Sequence, residues 1–273
     1  MPVPNTNGDF RSLPIKSVLL LISLLLSVSL LLTVSGPFLA ASAAAANPAD
    51  GPRVMTYNIR HAEGLDGRVE PRRIVHDLQS SHADLIALQE VDRLKWRSGL
   101  QDQPRYFAKA LGMQYAYAPA IRGGVSQYGV MLLSRYPLQA VHSRLLRGGR
   151  EPRCLLTAQI RLGDRNVTVA TTHLGVAAAD RTKQSPQLLA ALKSVHTPLV
   201  LLGDFNSASA NPQLQRLTGE LGLRELPLAS PGPTVLGGGE IDHIFTNMAQ
   251  VEEARTERSS ASDHLPVVGR IML

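Results

Sequence analysis

Short apolar runs that stop at a polar residue recur along this chain, and they constrain its fold more than any other feature. Runs of four to eight such residues, bounded by turn residues, predict buried strands. The pattern predicts strands at residues 53–59, 83–91, 128–134, 138–146, 154–162, 166–174, 198–206, 241–247, 251–257 and 265–273. Apolar residues at helical spacing predict helices at residues 71–81, 104–113, 185–195 and 212–221.

The number of strands restricts the architecture. About ten strands would overfill one open sheet, so we predict two packed sheets with helices on the outside. The three consecutive strands at 138–146, 154–162 and 166–174 are joined by short turns, which predicts an antiparallel meander. Between residues 230 and 239, Ser, Pro and Gly are frequent, which predicts a long loop at the rim of an active site.

The composition is that of a globular protein with almost no cysteine. Of 273 residues, 44% are hydrophobic and 18% are charged, so the chain has enough apolar surface to fold and is not of the disordered class. Cys154 is the single cysteine. An intramolecular disulfide and a cysteine-rich zinc site are therefore both excluded.

Residues 1–46 differ from the rest of the chain. An uncharged apolar run at 18–34 follows Arg11 and Lys16, and alanines are frequent from Ala40 to Ala46. This order is typical of an export signal, which is either cleaved near the alanines or kept as an N-terminal membrane anchor. Both alternatives deliver residues 47–273, as one domain, outside the cytoplasm. We expect a protein that is secreted or anchored to the outer face of the cytoplasmic membrane.

The basic excess is carried by arginine. Lys and Arg number 28 against 22 Asp and Glu, and 23 of the 28 are Arg. A guanidinium group suits phosphate, although a codon preference for arginine explains the bias equally well. The closely spaced arginines between residues 144 and 153 either receive a phosphorylated head group or form a solvated loop. Arg153, which begins a strand, is the one that we expect to face a site.

Candidate functional side chains stand where the predicted strands meet loops. They are Asn58, Glu90, His173, Asp204, Asn206, Asp242, Asp263 and His264. Each of these residues, taken alone, is explained equally well as a turn, cap or core residue. Together they supply the groups that one reaction would need. Carboxylate and amide oxygens suit Mg²⁺ or Mn²⁺, and imidazole and amide groups donate to phosphoryl oxygens. The set predicts metal-assisted attack of water on a phosphate ester.

The order of these residues resembles that of the endonuclease/exonuclease/phosphatase superfamily. The matching segments are MTYNIR (55–60), ALQEVD (87–92), YGVMLLSRYPL (128–138), TTHLG (171–175), LLGDFNS (201–207), IDHIF (241–245) and SDHLPV (263–267). The resemblance spans residues 53 to 273. It implies a four-layer α/β/β/α sandwich of two packed, mostly antiparallel sheets flanked by helices, and a phosphoesterase that depends on a divalent metal.

The resemblance implies roles around the metal and the attacking water. Glu90 would be the principal ligand of Mg²⁺ or Mn²⁺, with Asn58 beside it and Asp263 close to the metal or its water. Asp204 would orient or deprotonate the water. Asn206 would help to fix the water and the phosphate.

It also implies roles around the phosphate. His264 would contact the scissile phosphate and stabilise the charge that develops there. Asp242 would hold the His264 ring in the required tautomer. His173 would be a further phosphate contact.

Departures from the family's pattern narrow the substrate. Abasic-site repair nucleases show Asn-x-Asp on the first strand, whereas Arg60 stands at that position here. Secreted sphingomyelinases share the pattern but carry an apolar membrane-touching hairpin, which this sequence does not show. The segment at residues 58–74 looks closest to a bacterial branch that is similar to the C-terminal domain of proteins that remodel GPI-anchor lipids.

We therefore expect an exported phosphoesterase that hydrolyses a phosphodiester, on a phospholipid or a related phosphorylated small molecule. An extracellular nuclease is the alternative, since residues 47–273 carry 26 positive and 21 negative side chains. The 4% aromatic content does not favour nucleic acid. A non-catalytic module that binds phosphate or lipid is a third alternative. We expect a monomer, with membrane association through residues 18–34 if the anchor is kept.

Overall fold

The computed structural model describes residues 51–248 and 252–272. The chain divides into the units Met1–Ala44 and Ala45–Leu273, and all described residues belong to the second. The predicted export segment, with its apolar run at 18–34, thus lies outside the described residues and stays a prediction. Within the described ranges, no helix has both the length and the apolar character needed to cross a membrane.

Twelve strands and four α-helices make up the described residues. In chain order they are β1 (Arg53–Asn58), α1 (Pro71–Ser80), β2 (Leu85–Arg93), α2 (Gln103–Leu111), β3 (Gln114–Gly123), β4 (Ser126–Ser134), β5 (Gln139–Leu146), β6 (Arg153–Leu162), β7 (Arg165–His173), α3 (Ala178–Leu192), β8 (Leu199–Asp204), α4 (Pro212–Glu220), β9 (Arg224–Glu225), β10 (Asp242–Thr246), β11 (Arg255–Thr256) and β12 (Val267–Arg270). The four predicted helices are all present.

The strands form two six-stranded sheets with the same plan. The first sheet has the order β11-β12-β1-β2-β4-β3 and the second has the order β5-β6-β7-β8-β10-β9. Each sheet contains one parallel pair, β1 with β2 and β7 with β8, and its other pairs are antiparallel. The predicted β5-β6-β7 meander is present. The carboxyl ends of both parallel pairs bring polar residues to one end of each sheet.

Three apolar layers hold the sheets and helices together. The middle layer joins the inner faces of the two sheets and includes Val54, Leu132, Leu156 and Val200. A second layer packs α1 and α2 on the first sheet, and a third packs α3 and α4 on the second sheet. The predicted four-layer α/β/β/α sandwich of mostly antiparallel sheets is therefore confirmed.

The sequence predictions differ from the structure at four places, one of which is the two-residue strand β9, which was not predicted. The strand β3 was missed, because Pro119 interrupts its pattern; the residue sits at a register shift, where a strand tolerates proline. The helix predicted at 185–195 begins instead at Ala178, since polar contacts to Gly175 from Arg181 and Gln184 hold its first turns. The strand predicted at 251–257 is reduced to β11 in the described residues.

Gly203 permits the close approach of β8 to β7, directly before Asp204. A Cβ atom at this position would lie 2.2 Å from the carbonyl oxygen of Thr172. We predict that Gly203→Ala lowers the free energy of unfolding by about 3 kcal/mol or more, because the two strands would have to separate. Urea unfolding of residues 45–273 would measure it.

Gly219→Ala is the matched control, because Gly219 lies in α4 and nothing stands within 4 Å of its added Cβ. This variant should be stabilised by roughly 0.5–1 kcal/mol. Equal stability of the Gly203→Ala variant and the wild type would contradict the close-packing argument.

Candidate active site

Three predicted site residues lie side by side across the second sheet. In the strand register, Asp204 pairs with His173 on one side and with Asp242 on the other. Residues paired in this way project from the same face of a sheet. That face is the inner one, because Val200, Leu202 and Ile244 at alternating positions lie in the middle apolar layer. The row therefore points towards the first sheet.

The first sheet contributes Asn58 and Glu90. Asn58 ends β1 on the inner face, since Val54 lies in the middle layer and Met55 lies in the outer one. Glu90 reaches the site through a β-bulge: Gln89 and Glu90 together face Val130, and Glu90 has a left-handed φ of 59°. A bulge of this kind turns a side chain away from the face that strict alternation would give it.

Asn58 links the two sheets at the centre of the site. Its Nδ2 atom donates to Glu90 Oε1 at 3.2 Å and to Asp204 Oδ2 at 3.0 Å. Its Oδ1 atom accepts a hydrogen bond from the Arg60 backbone N–H at 3.1 Å. In this arrangement the amide group of Asn58 turns its nitrogen, and not its oxygen, towards the two carboxylates.

A polar network lies directly beneath these groups. Gln89 donates from Nε2 to the hydroxyls of Thr56 and Thr171, each at 3.1 Å. All three side chains are fully buried and come from both sheets. Along the strands towards the site, the interior of the sandwich thus changes from apolar packing to hydrogen bonding just before the site residues. These hydrogen bonds fix the alignment of the two sheets.

His264 forms a buried pair with Asp242. The His264 Nδ1 atom lies 2.8 Å from Asp242 Oδ2, to which Thr234 also donates its hydroxyl at 2.7 Å. Burial lowers the pKa of His264, but the hydrogen bond and charge of Asp242, with the charges of Asp204 and Asp263, outweigh it and raise the pKa to about 9. His264 is therefore a cation near neutral pH, and its Nε2 atom lies 3.9 Å from Asp204 Oδ2.

His173 lies between Asp204 and Arg153. Its Nε2 atom is 3.3 Å from Asp204 Oδ2, and Arg153 faces its Nδ1 atom at 3.4 Å. Burial, together with the positive charges of Arg153 and His264, lowers the pKa of His173 well below its usual value. The ring is therefore neutral, accepts from Arg153 and donates to Asp204. The predicted phosphate contact would require one of these two bonds to break.

Asp204 is the most enclosed carboxylate of the cluster. Burial, with the charge of Asp242 beside it, raises the pKa of Asp204 above that of a free carboxylic acid, although Asn58 and His264 act in the opposite direction. A buried carboxylate with a raised pKa is suited to accept a proton from water.

The remaining predicted residues lie around this centre. Asn206 has a left-handed φ of 50°; its backbone N–H binds Asp204 Oδ1 and its amide donates to the Leu174 carbonyl. Asp263 is partly exposed, and its Oδ2 atom is 3.7 Å from Arg60 Nε. Arg153 is 6% exposed and also contacts Glu151 and the Tyr128 hydroxyl.

The residues present fit a divalent cation next to Glu90. Glu90 is partly exposed, and the Asn58 amide donates to its carboxylate and to that of Asp204, so hard oxygen donors from the two sheets lie on either side of this amide. The closest group, Asp204, Asp242 and His264, has donor atoms within 4.8 Å of one another. Its Asp242 and His264 atoms already bind each other. Asn58 could join Glu90 as a ligand only by turning its amide over.

Several groups in the site were missed in the sequence. Thr234 holds Asp242, Ser262 donates to the Asn58 carbonyl at 2.8 Å, and Gln89 joins the sheets. The stretch SSASDH could have drawn attention to Ser262, since it precedes Asp263. Nothing in the sequence signals Thr234, which reaches the site because Val235 pairs with His264.

Comparisons with known proteins agree with this geometry. A UPF0294 protein of Vibrio cholerae is 30% identical over 131 residues, 45% of this chain and 47% of that protein, so the chain spans about half the length of the curated relatives it matches. An endonuclease/exonuclease/phosphatase from Beutenbergia cavernae superposes with a TM-score of 0.69 at 25% identity, covering 82% of this chain and 72% of that one.

A solved structure of lower sequence identity has the same fold. The mannosyl-6-phosphatase Bt3783 of Bacteroides thetaiotaomicron has a TM-score of 0.65 at 17% identity, covering 81% of this chain and 100% of that one. The model of the Endonuclease/Exonuclease/phosphatase family matches residues 55–264, which include the row on the second sheet, the bulge of β2 and the Asp242–His264 pair. The chain therefore belongs to the endonuclease/exonuclease/phosphatase family, whose members hydrolyse phosphate esters.

Proposed function

We propose that this protein is an exported phosphodiesterase that depends on Mg²⁺ or Mn²⁺ and acts on a phospholipid or a related phosphorylated molecule. The observation that carries the proposal is the convergence of residues from both sheets: Asn58 donates to Glu90 and Asp204, and His264 Nε2 lies 3.4 Å from Asn58 Nδ2. The predicted export segment supports the location. The substrate class rests on the expected resemblance of residues 58–74 to a bacterial branch that is similar to lipid-remodelling proteins.

The charges of the site suit a phosphate ester. A divalent cation at Glu90 would polarise a phosphoryl oxygen and make the attacking water more acidic. On the opposite side, the His264 cation and the Arg153 guanidinium supply positive charge for the anionic substrate. Both are held by carboxylates, Asp242 and Glu151, so their directions are set before substrate arrives.

Asp204 is placed to take the proton of the attacking water. Three donors converge on its carboxylate: Asn58 Nδ2, His173 Nε2 and the Asn206 backbone N–H. These contacts fix the carboxylate in one orientation. Asn206, two residues after Asp204 in the chain, and the partly exposed Asp263 would orient the water and the phosphate.

We predict that Glu90→Gln reduces Mn²⁺ affinity at least about tenfold and abolishes metal-dependent hydrolysis, because the amide keeps the shape but loses the charge of the principal ligand. Calorimetric Mn²⁺ titration gives a readout that does not depend on turnover. Glu220→Gln is the control, since Glu220 lies on α4 and pairs with Lys193 and Arg216. Full Mn²⁺ binding by Glu90→Gln would remove Glu90 from the ligand set.

We predict that Asp242→Asn lowers kcat on the order of 10²-fold with a smaller change in KM, because a neutral amide is a weaker acceptor for the His264 ring and no longer stabilises its charged form. Thr234→Val should show a weaker form of the same defect, since it leaves the carboxylate but removes one hydrogen bond to it. Steady-state kinetics with bis-(p-nitrophenyl) phosphate would measure both. An effect confined to KM would contradict the orienting role.

A substrate panel, run with and without chelator, tests the proposed function itself. We expect cleavage of a phospholipid that requires Mg²⁺ or Mn²⁺, and weaker action on sphingomyelin, inositol phosphates, DNA and RNA. Degradation of DNA or RNA that weakens steeply with salt would favour the extracellular nuclease instead. No metal-dependent cleavage of any member, with no metal bound, would favour the non-catalytic alternative.

A further inference from the structure

Large apolar side chains are exposed around the mouth of the candidate site. Nine such side chains are exposed among the described residues. Six of the nine lie in loops at the end of the sandwich that carries the site: Leu65, Trp96, Leu100, Val125, Val176 and Leu236. We call this end the site end.

Strand direction establishes this placement. Leu65, Trp96 and Val176 follow β1, β2 and β7, whose last residues belong to the site or adjoin it. Val125 lies between β3 and β4, and β4 runs antiparallel to β2 and so begins where β2 ends. Leu236 precedes β10, and its backbone N–H donates to the Asp263 carbonyl.

Trp96, Leu100 and Val125 form one patch, here called the rim patch. The chain beyond β2 folds back on itself, since Arg93 pairs with Asp102. In the same ladder, Arg93 pairs with Gln127, and Gln127 pairs with Arg122 of the β3–β4 hairpin. Neighbouring strands are about 4.8 Å apart, so the two loops are adjacent. Trp96 is 85% exposed and Val125 is 76% exposed, the two largest exposures of this kind.

The loop is held so that the indole faces outward. Arg97 binds both oxygens of the buried Asp92, at 2.8 and 2.9 Å. The Arg97 guanidinium and the Lys95 ammonium lie over the Tyr128 ring, at 5.3 and 5.5 Å from its centre. Both neighbours of Trp96 are thus tied to the protein, while Trp96 itself is left in solvent.

Cations surround the rim patch. Lys95 directly precedes Trp96, Arg122 lies near the end of β3 beside the β3–β4 turn, and Arg147 and Arg150 lie in the β5–β6 loop at the same end. In the described part of the chain, these four cations have no ion pair with a carboxylate. Exposed Trp with flanking Lys and Arg matches the interfacial region of a bilayer, where the indole lies among head groups and cations meet anionic phosphate.

We propose that the site end docks on an anionic phospholipid surface through the rim patch, with Lys95 and Arg122 on the head groups. The proposal deepens the proposed function and rests on it for the substrate, since docking would bring the site mouth to the phosphodiesters of the bilayer. Charge complementarity favours this occupant over a protein. The predicted delivery of the domain to the outer face of the membrane places such a surface within reach.

The contacts also connect the docked loop to the site. Tyr128, which lies under Lys95 and Arg97, receives a hydrogen bond from Arg153 at 3.4 Å, and Arg153 contacts His173. The two sequence neighbours of Trp96 are therefore linked through Tyr128 to Arg153, which would receive the phosphate.

The test uses vesicle binding by residues 45–273, which contain all three apolar layers. Phosphatidylcholine vesicles with and without phosphatidylglycerol are used in chelator, so that no lipid is hydrolysed. Trp96 is the single tryptophan of the chain, and its emission reports on this loop alone. We expect a blue shift and quenching by brominated lipid on phosphatidylglycerol vesicles, both reduced by salt.

Substitutions distinguish docking through the rim patch from nonspecific binding of the protein to vesicles. Trp96→Ala should weaken vesicle partitioning at least about tenfold, since an indole carries roughly 200 Å² of mostly apolar surface. The double variant Lys95→Gln, Arg122→Gln should weaken it by about 25-fold, at about 1 kcal/mol per cation. Tyr115→Ala and the pair Arg161→Gln, Arg165→Gln are the controls at the opposite end, and they should bind as the wild type does.

Two results would overturn the proposal. One is unshifted, unquenched Trp96 emission of the wild type on phosphatidylglycerol vesicles at low salt. The other is an equal loss of binding in Tyr115→Ala and Trp96→Ala. The Glu90→Gln variant keeps the two hypotheses apart, because it should dock without hydrolysing. Vesicle binding with no metal-dependent lipid cleavage would uphold docking and reject the proposed function.

Discussion

Face-to-face packing of the two sheets is the constraint on which the rest of this structure depends. Alternation places every second residue of β1, β2, β7, β8 and β10 on an inner face. Along those faces the residues are apolar, then hydrogen-bonded through Gln89, then ionisable at the strand ends. The site is thus the continuation of the core, and its geometry is set by the same register that packs Val54 against the second sheet. A slip of one residue in either sheet would remove its side chains from the site.

Two local departures from regular strand structure complete the arrangement. The bulge at Glu90 adds a residue to β2 and turns a carboxylate towards Asn58, where strict alternation would bury it beside α2. Gly203, directly before Asp204, leaves room for the Thr172 carbonyl of β7, and His173 and Asp204 pair in the next register position. Carboxylates gathered in this way carry a large electrostatic cost. The protein offsets it with His264, Arg153 and, on the proposed function, a divalent cation.

The site end of the sandwich combines two properties. Its interior is buried, polar and fixed by contacts between the sheets, whereas its rim exposes an indole and cations to solvent. Tyr128 belongs to both, since Lys95 and Arg97 lie over its ring and its hydroxyl accepts a hydrogen bond from Arg153. A phosphodiesterase that works at a lipid surface needs both properties in one place: a rigid, charged interior for the reaction and a surface that stays close to the substrate.

By itself the sequence determined the layer architecture and the identity of most candidate groups, because strand periodicity and the order of Asn58, Glu90, Asp204 and His264 are local properties of the chain. It did not reveal β3, because Pro119 interrupts the strand pattern there. It also did not reveal Thr234, whose contact with Asp242 depends on the pairing of Val235 with His264. Nor did it reveal that Asn58 presents its nitrogen to Glu90, that His173 binds Arg153, or that Trp96 and Val125 share a surface. Those features join residues that are distant in the chain. They therefore depend on the packing of the two sheets and on the strand pairing that brings the β2–α2 and β3–β4 loops together.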